Sequence, residues 1–145
     1  MKFCVDCRAW VLLGALGGAS SVLLGAYGAH GLDEVFLEVP RKKVAYGNAV
    51  DYQMIHSLLL VVLGFFGMRD REEPGLLHSL NGYLLVASIL LFSGSIYAWV
   101  FGGGDWWIKL TPVGGIGFFI SWLLLGFQFK NNNKKINLKK ERITS

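Results

Sequence analysis

Two histidines, a tyrosine-bearing helical face and a pair of close serines are the side chains of this chain with chemistry to offer. Asn48, Tyr52 and His56 are spaced four apart, which aligns them on one face of a helix. Ser93 and Tyr97 share the same spacing, with Ser95 between them and Thr111 at the start of the next apolar run. His30 is expected at a depth similar to that of His56. Two imidazoles at one level could ligate a metal or haem, or pass a proton. The competing reading is structural: both histidines fall within about a turn of the expected water boundary, where each could hydrogen-bond to Tyr or Ser across a bundle. That reading is favoured, so no metal site is assigned and the cofactor is left unknown. His78 belongs near the opposite interface and is a weaker candidate.

Cys4-x-x-Cys7 has the spacing of redox and zinc motifs but stands alone, without a second pair or a nearby histidine. Other reaction signatures are missing from the sequence. It has no Gly-x-Ser-x-Gly elbow, no His-Glu-x-x-His and no phosphate-binding Gly-Lys-Ser/Thr loop. The expectation is a protein that is not an enzyme. A transporter is also poorly supported, because no charged residue is expected centrally in any span and no inverted repeat is apparent.

The elements that must position these residues are membrane helices. Charged residues make up 17% of the chain, against roughly 25% in soluble domains, and they sit in short clusters. Between the clusters lie stretches able to span a bilayer, which needs about 17 to 25 apolar residues. The expected architecture is an all-α, four-helix transmembrane bundle with spans at about 9–30, 52–68, 78–101 and 111–129. Residues 1–8 form an N-terminal segment, and 130–145 a basic tail whose Asn and Lys content predicts disorder. Runs such as Leu58 to Leu63 and Leu84 to Phe92 are apolar all round, unlike a soluble amphipathic helix.

Four spans place both termini and the middle loop on one side. That side holds ten of the 14 Lys and Arg residues. The positive-inside rule then sets both termini in the cytoplasm. The net charge of +4 is concentrated in the tail, which fits a topology determinant or an anionic-lipid contact better than a nucleic-acid partner; no nucleic acid is expected. Trp99, Trp106 and Trp107 mark the outer interface and Trp10 the inner one. Thr111-Pro112 reads as an N-cap and first helical position. Leu32, Val35, Phe36 and Val39 predict a short amphipathic helix in the first outer loop, and a further helical stretch from Arg41 is expected to run into the second span.

Small residues recur along the spans. Gly14, Gly18, Ser21, Gly25 and Gly28 alternate at spacings of four and three in the first, Gly94 lies in the third, and Gly114 and Gly117 lie in the fourth. Such seams let helices approach closely. The threading gathers Gly25 to Leu32, Tyr46 to His56, Phe92 to Tyr97 and Thr111 to Gly115 in the outer leaflet, leaving the inner halves as mostly plain hydrocarbon.

Those four motifs, Gly-Ala-Tyr-Gly-Ala-His-Gly-Leu, Tyr-Gln-Met-Ile-His, Leu-Phe-Ser-Gly-Ser-Ile-Tyr and Thr-Pro-Val-Gly-Gly, in this order, resemble the small inner-membrane family typified by bacterial YgdD-like proteins. The resemblance runs from about Trp10 to Gly126. It implies a multi-pass protein of the bacterial inner membrane, or its mitochondrial equivalent, in a family classed as a domain of unknown function. His30, Tyr52, His56, Ser93, Ser95, Tyr97, Thr111 and Pro112 are the positions that match the family's motifs. The expected partners are the lipid bilayer and either a membrane-protein complex or a homo-oligomer. The leading functional expectation is a non-catalytic accessory subunit or assembly factor. The alternative is a small binding module for metal, haem, quinone or lipid at the outer polar cluster.

Overall fold

The computed structural model describes the backbone of residues 5–69 and 75–144 and the side chains of residues 7–68 and 75–128. Cys4, the first half of the Cys-x-x-Cys pair, lies outside them. The described residues form helices only: α1 (Val5–His30), α2 (Asp33–Glu38), α3 (Pro40–Arg69), α4 (Leu76–Ile89), α5 (Ser95–Val100) and α6 (Thr111–Thr144). A π-helical turn at Leu90–Gly94 joins α4 to α5, and a 3-10 turn at Trp107–Leu110 leads into α6. Four helical stretches among the described residues are long and apolar enough to cross a membrane: Cys7–His30, Pro40–Met68, Leu76–Val100 and Trp107–Gln128. The four-helix bundle read from the sequence is the fold.

Local chemistry explains the boundaries. Pro40 opens α3, where its missing N–H costs nothing. Gly75, with extended backbone, precedes α4. Gly102 follows α5 at φ +102°, a conformation that only glycine adopts cheaply. Asp33 and Glu34 occupy the first turn of α2, where negative charge suits the helix dipole. The apolar face of α2 does not lie open on a surface. Leu32 and Phe36 are buried and pack with Tyr46, Ala49, Ile96, Trp99 and Val100 into one of two core clusters. The second cluster, around Trp10, Leu60, Leu63, Leu85 and Phe118, fills the other half of the bundle.

Helices α3 and α4 form the centre, while α1 packs chiefly on α3 and α6 chiefly on α4. Close approach of α1 to α3 depends on small residues from both sides. A methyl group at Gly14 would come within 2.6 Å of the Ser57 carbonyl oxygen, and one at Gly64 within 2.6 Å of that of Cys7. Two side chains then clip the pair. Gln53 Nε2 donates to the Gly17 carbonyl at 2.8 Å and to Ser20 Oγ at 2.7 Å, and Tyr46 Oη donates to the Leu24 carbonyl at 2.7 Å.

Three details differ from the sequence-based expectation. Thr111 has helical backbone, continuous with the preceding 3-10 turn, so it does not cap α6. Trp10 is buried against Gly82 and edge-on to Tyr83 at 4.7 Å, a core contact instead of an interfacial anchor. Helix α6 continues to Thr144, through the stretch expected to be disordered. No Gly or Pro follows Gly126, and extending an existing helix needs no new nucleus.

Candidate functional site

The contact register fixes the depth of each polar residue. Along the α1–α3 pair, Gly28 faces Tyr46, Gly25 faces Val50, and Gly18 faces Met54. His56 therefore lies opposite the middle of α1, sixteen residues after Pro40 and thirteen before Arg69. His30 reaches only the level of Val44. The two imidazoles are separated by about twelve residues of helix, roughly 18 Å along the axis. The expectation that they share a depth is corrected: His30 is exposed at the end of α1, and His56 is buried near mid-bundle. The physical reason is that α3 runs as one unbroken helix from Pro40, so its water boundary is not set by the charge at Asp51.

His56 is fully engaged. Trp122 Nε1, which can only donate, lies 3.3 Å from His56 Nε2, so that nitrogen accepts. The proton then sits on Nδ1, which donates to the Tyr52 carbonyl at 2.7 Å. The ring stacks on Phe118 with centroids 3.5 Å apart. Tyr52 stacks in turn on Phe92 at 4.6 Å. This aromatic column lines a lateral groove of about 400 Å³ between α3 and α6, with Ile55, Gly115 and Phe119 along its walls.

The other expected residues separate into three groups. Ser93, Ser95 and Thr111 join helices: Ser93 Oγ donates to the Ala49 carbonyl at 2.8 Å, and Ser95 and Thr111 share a 2.8 Å hydrogen bond. The π-helical turn carries Ser93 inward, and the widened backbone there is a feature often kept for side-chain placement. Tyr97 packs edge-on to Tyr46 at 5.3 Å, and its buried hydroxyl meets no partner among the described residues. Asn48 is exposed and belongs to no cluster with His56. Of the expected packing glycines, Gly14, Gly28, Gly114 and Gly117 sit at tight contacts, Gly25 is near Val50 and Gly18 has room before Met54. Gly94 is not a packing point, since a methyl group there would meet nothing within 4 Å.

Polarity also extends where plain hydrocarbon was expected. Asn81 of α4 is fully buried, and neither end of its amide finds a partner among the described residues. Ser57 and Ser121 are buried with unpartnered hydroxyls in the same half of the bundle. Gln53 and Tyr46 were missed as well. Their signal was present, because Tyr46, Ala49, Gln53 and Leu60 follow the spacing of one helical face. At the α2 end, Trp99 Nε1 donates to Asp105 at 2.7 Å, while Arg41 lies 3.7 Å from the same carboxylate and 4.8 Å above the Trp99 ring. Among the described residues no group of three His, Cys, Asp or Glu could hold a metal ion.

The chain matches the family described as "Protein of unknown function (DUF423)" over residues 24–115, a segment that holds Tyr52, His56, Phe92 and the serine links, while Phe118 and Trp122 of the aromatic site lie beyond it. It is 34% identical to a UPF0382 membrane protein of Haemophilus influenzae over 126 residues, covering 86% of this chain and 96% of that protein. Identity to the UPF0382 membrane protein YwdK of Bacillus subtilis is 34% over 119 residues, covering 81% and 93%. The UPF0382 inner membrane protein YgdD of Escherichia coli is 30% identical over 118 residues, covering 81% and 86%. No solved structure matches. By the family match and by relatives aligned over nearly their whole length, the chain belongs to the DUF423 family of membrane proteins.

Proposed function

We propose that this protein is a non-catalytic component of a larger complex in the bacterial inner membrane, an accessory subunit or assembly factor, inserted with both termini in the cytoplasm. The observation that carries the reading is the engagement of His56. It is the ionisable side chain best placed for chemistry, yet Nε2 and one ring face are used in holding α3 to α6, and Nδ1 is tied to the Tyr52 carbonyl within α3. A base or ligand needs a free lone pair, and this tautomer presents none. The remaining core polar groups with partners also join helix to helix, as Gln53, Ser93, Ser95 and Tyr46 do. The test is affinity purification in mild detergent followed by mass spectrometry. A membrane-protein partner recovered reproducibly supports the reading; the chain alone in every preparation sinks it.

The groove between α3 and α6 favours a second reading, a module that binds one apolar chain. Its walls are aromatic and it opens sideways from the bundle, which suits an acyl or isoprenoid tail. The separation of His30 from His56 removes the shared ligand point that a two-histidine metal or haem site required. Extraction of purified protein into organic solvent decides the matter: a lipid or quinone enriched at one per chain would favour the module over the subunit.

A further inference from the structure

Cys4-x-x-Cys7 has no histidine near it in sequence, but the fold supplies one. His78 of α4 brings its Nε2 to 3.9 Å from Cys7 Sγ, between residues 71 apart in the chain. At that length the contact is a poor hydrogen bond. It is close to the separation of two ligands on one zinc ion, since Zn–S of about 2.3 Å and Zn–N of about 2.0 to 2.1 Å at a tetrahedral angle set sulfur and nitrogen about 3.6 Å apart. Gly67 of α3 makes room for both atoms: a methyl group there would stand 2.5 Å from the Cys7 sulfur and 2.5 Å from His78 Nε2. Sulfur and nitrogen therefore converge where α1, α3 and α4 meet.

The surroundings suit a metal. Cys7 is fully buried and His78 half-buried, so the point is closed towards the bundle and reached from the start of α4. One turn deeper on the same faces, Trp10 follows Cys7 and Asn81 follows His78. The Trp10 N–H and both ends of the Asn81 amide are buried, and their hydrogen bonds are unmet among the described residues. The pair thus sits against a polar layer of the kind that orients ligands and water around a metal. Two thiolates and a neutral imidazole cancel the charge of a divalent ion, so a filled site adds no net charge at a buried position.

We propose that Cys4, Cys7 and His78 bind one zinc ion, which fastens α1 to α4 at this end of the bundle. Cys4 lies outside the described residues and enters by its spacing alone, Cys-x-x-Cys being the chelate of thiolate zinc sites. Thiolate and imidazole together select zinc over magnesium or calcium. Three protein ligands leave the fourth position to water or a small anion. Binding releases both thiol protons to solvent. None of these residues carries the accessory-subunit reading, and the inference does not depend on it.

The test is metal titration of the full chain, purified in detergent under reductant without a histidine tag and stripped with a chelator. Cobalt(II) should bind at one per chain, with sulfur-to-cobalt charge-transfer absorption and the visible bands of tetrahedral cobalt, and one equivalent of zinc(II) should bleach both. Cys4→Ser and His78→Gln should each weaken binding by more than about 100-fold, beyond the roughly 10- to 100-fold typical of losing an outer-shell partner. Both variants leave the buried Cys7 in place, and matching unfolding midpoints of the stripped proteins check that they fold. Gly67→Ala removes no ligand but fills the space the two ligand atoms occupy, so it should weaken binding as well. His30→Ala, at the other end of α1, should bind as wild type does. Zinc should raise the unfolding midpoint of wild type and leave that of Cys4→Ser unmoved. No bound cobalt, a spectrum without sulfur bands, or wild-type affinity in Cys4→Ser or His78→Gln would each overturn the site. Partner recovery and zinc binding are read in separate experiments, so the two readings fail separately.

Discussion

The His56–Trp122 contact offers a quantitative test of whether His56 is a structural residue. Replacing His56 by Leu removes the acceptor of the Trp122 N–H and the ring stacked 3.5 Å from Phe118, while keeping most of the apolar volume. Interhelical hydrogen bonds in membranes average about 0.6 kcal/mol and reach about 1.7, and aromatic pairs contribute roughly 0.5 to 1.5. At 3.3 Å the hydrogen bond belongs near the average. His56→Leu should therefore destabilise the bundle by about 1 to 2 kcal/mol. A double-mutant cycle with Trp122→Phe isolates the pair, and its coupling should be about 0.6 kcal/mol. The assay is reversible unfolding in mixed micelles, with His30→Leu as an exposed control expected to change stability by less than about 0.5 kcal/mol. Zero coupling together with an unperturbed His56→Leu protein would refute the structural assignment.

Two further outcomes follow from the helix packing and one from the charge pattern of the sequence. Gly14→Val should cost about 1 to 3 kcal/mol by overpacking, because its Cβ meets the backbone of Ser57 and Val61, whereas Gly94→Ala should be tolerated; unfolding curves of the two variants check this. Gln53→Leu should loosen α1 from α3, seen as faster proteolysis near Gly31, since it deletes bonds to both Gly17 and Ser20. A reporter fused after Ser145 should be active in the cytoplasm and one inserted near Gly103 outside it, and removing Lys residues from the tail should weaken that orientation.

The architecture was legible because hydrophobic length and charge clustering are properties of the chain itself. The four spans, the short α2 and the tight contacts at Gly14, Gly28, Gly114 and Gly117 all follow from it. Depth was less legible. A carboxylate at Asp51 marks a water boundary in one dimension, and only the register of α3 against α1 and α5 shows that the helix carries it inward. That single step moved His56 from near the interface to mid-bundle and separated it from His30. Asn81 was hidden for a related reason: three residues after His78 it resembles an interfacial residue, and only the folded bundle shows it fully buried. Gly94 fits the small-residue pattern, but the π-helical turn rotates it away from its neighbours. Ser93 could be named from its type, though its acceptor, the Ala49 carbonyl, could not.

The central claim is that the buried polar residues hold the bundle together and that function lies in association with other membrane chains. The most direct measurement extracts the protein with its surrounding membrane into polymer nanodiscs and quantifies co-purifying proteins and small molecules for wild type and His56→Gln side by side. The account predicts a membrane-protein partner in fixed ratio to the chain, retained by the variant, with no small molecule distinguishing the two. A lipid or quinone bound to wild type and lost from His56→Gln, with no protein partner in either, would contradict it.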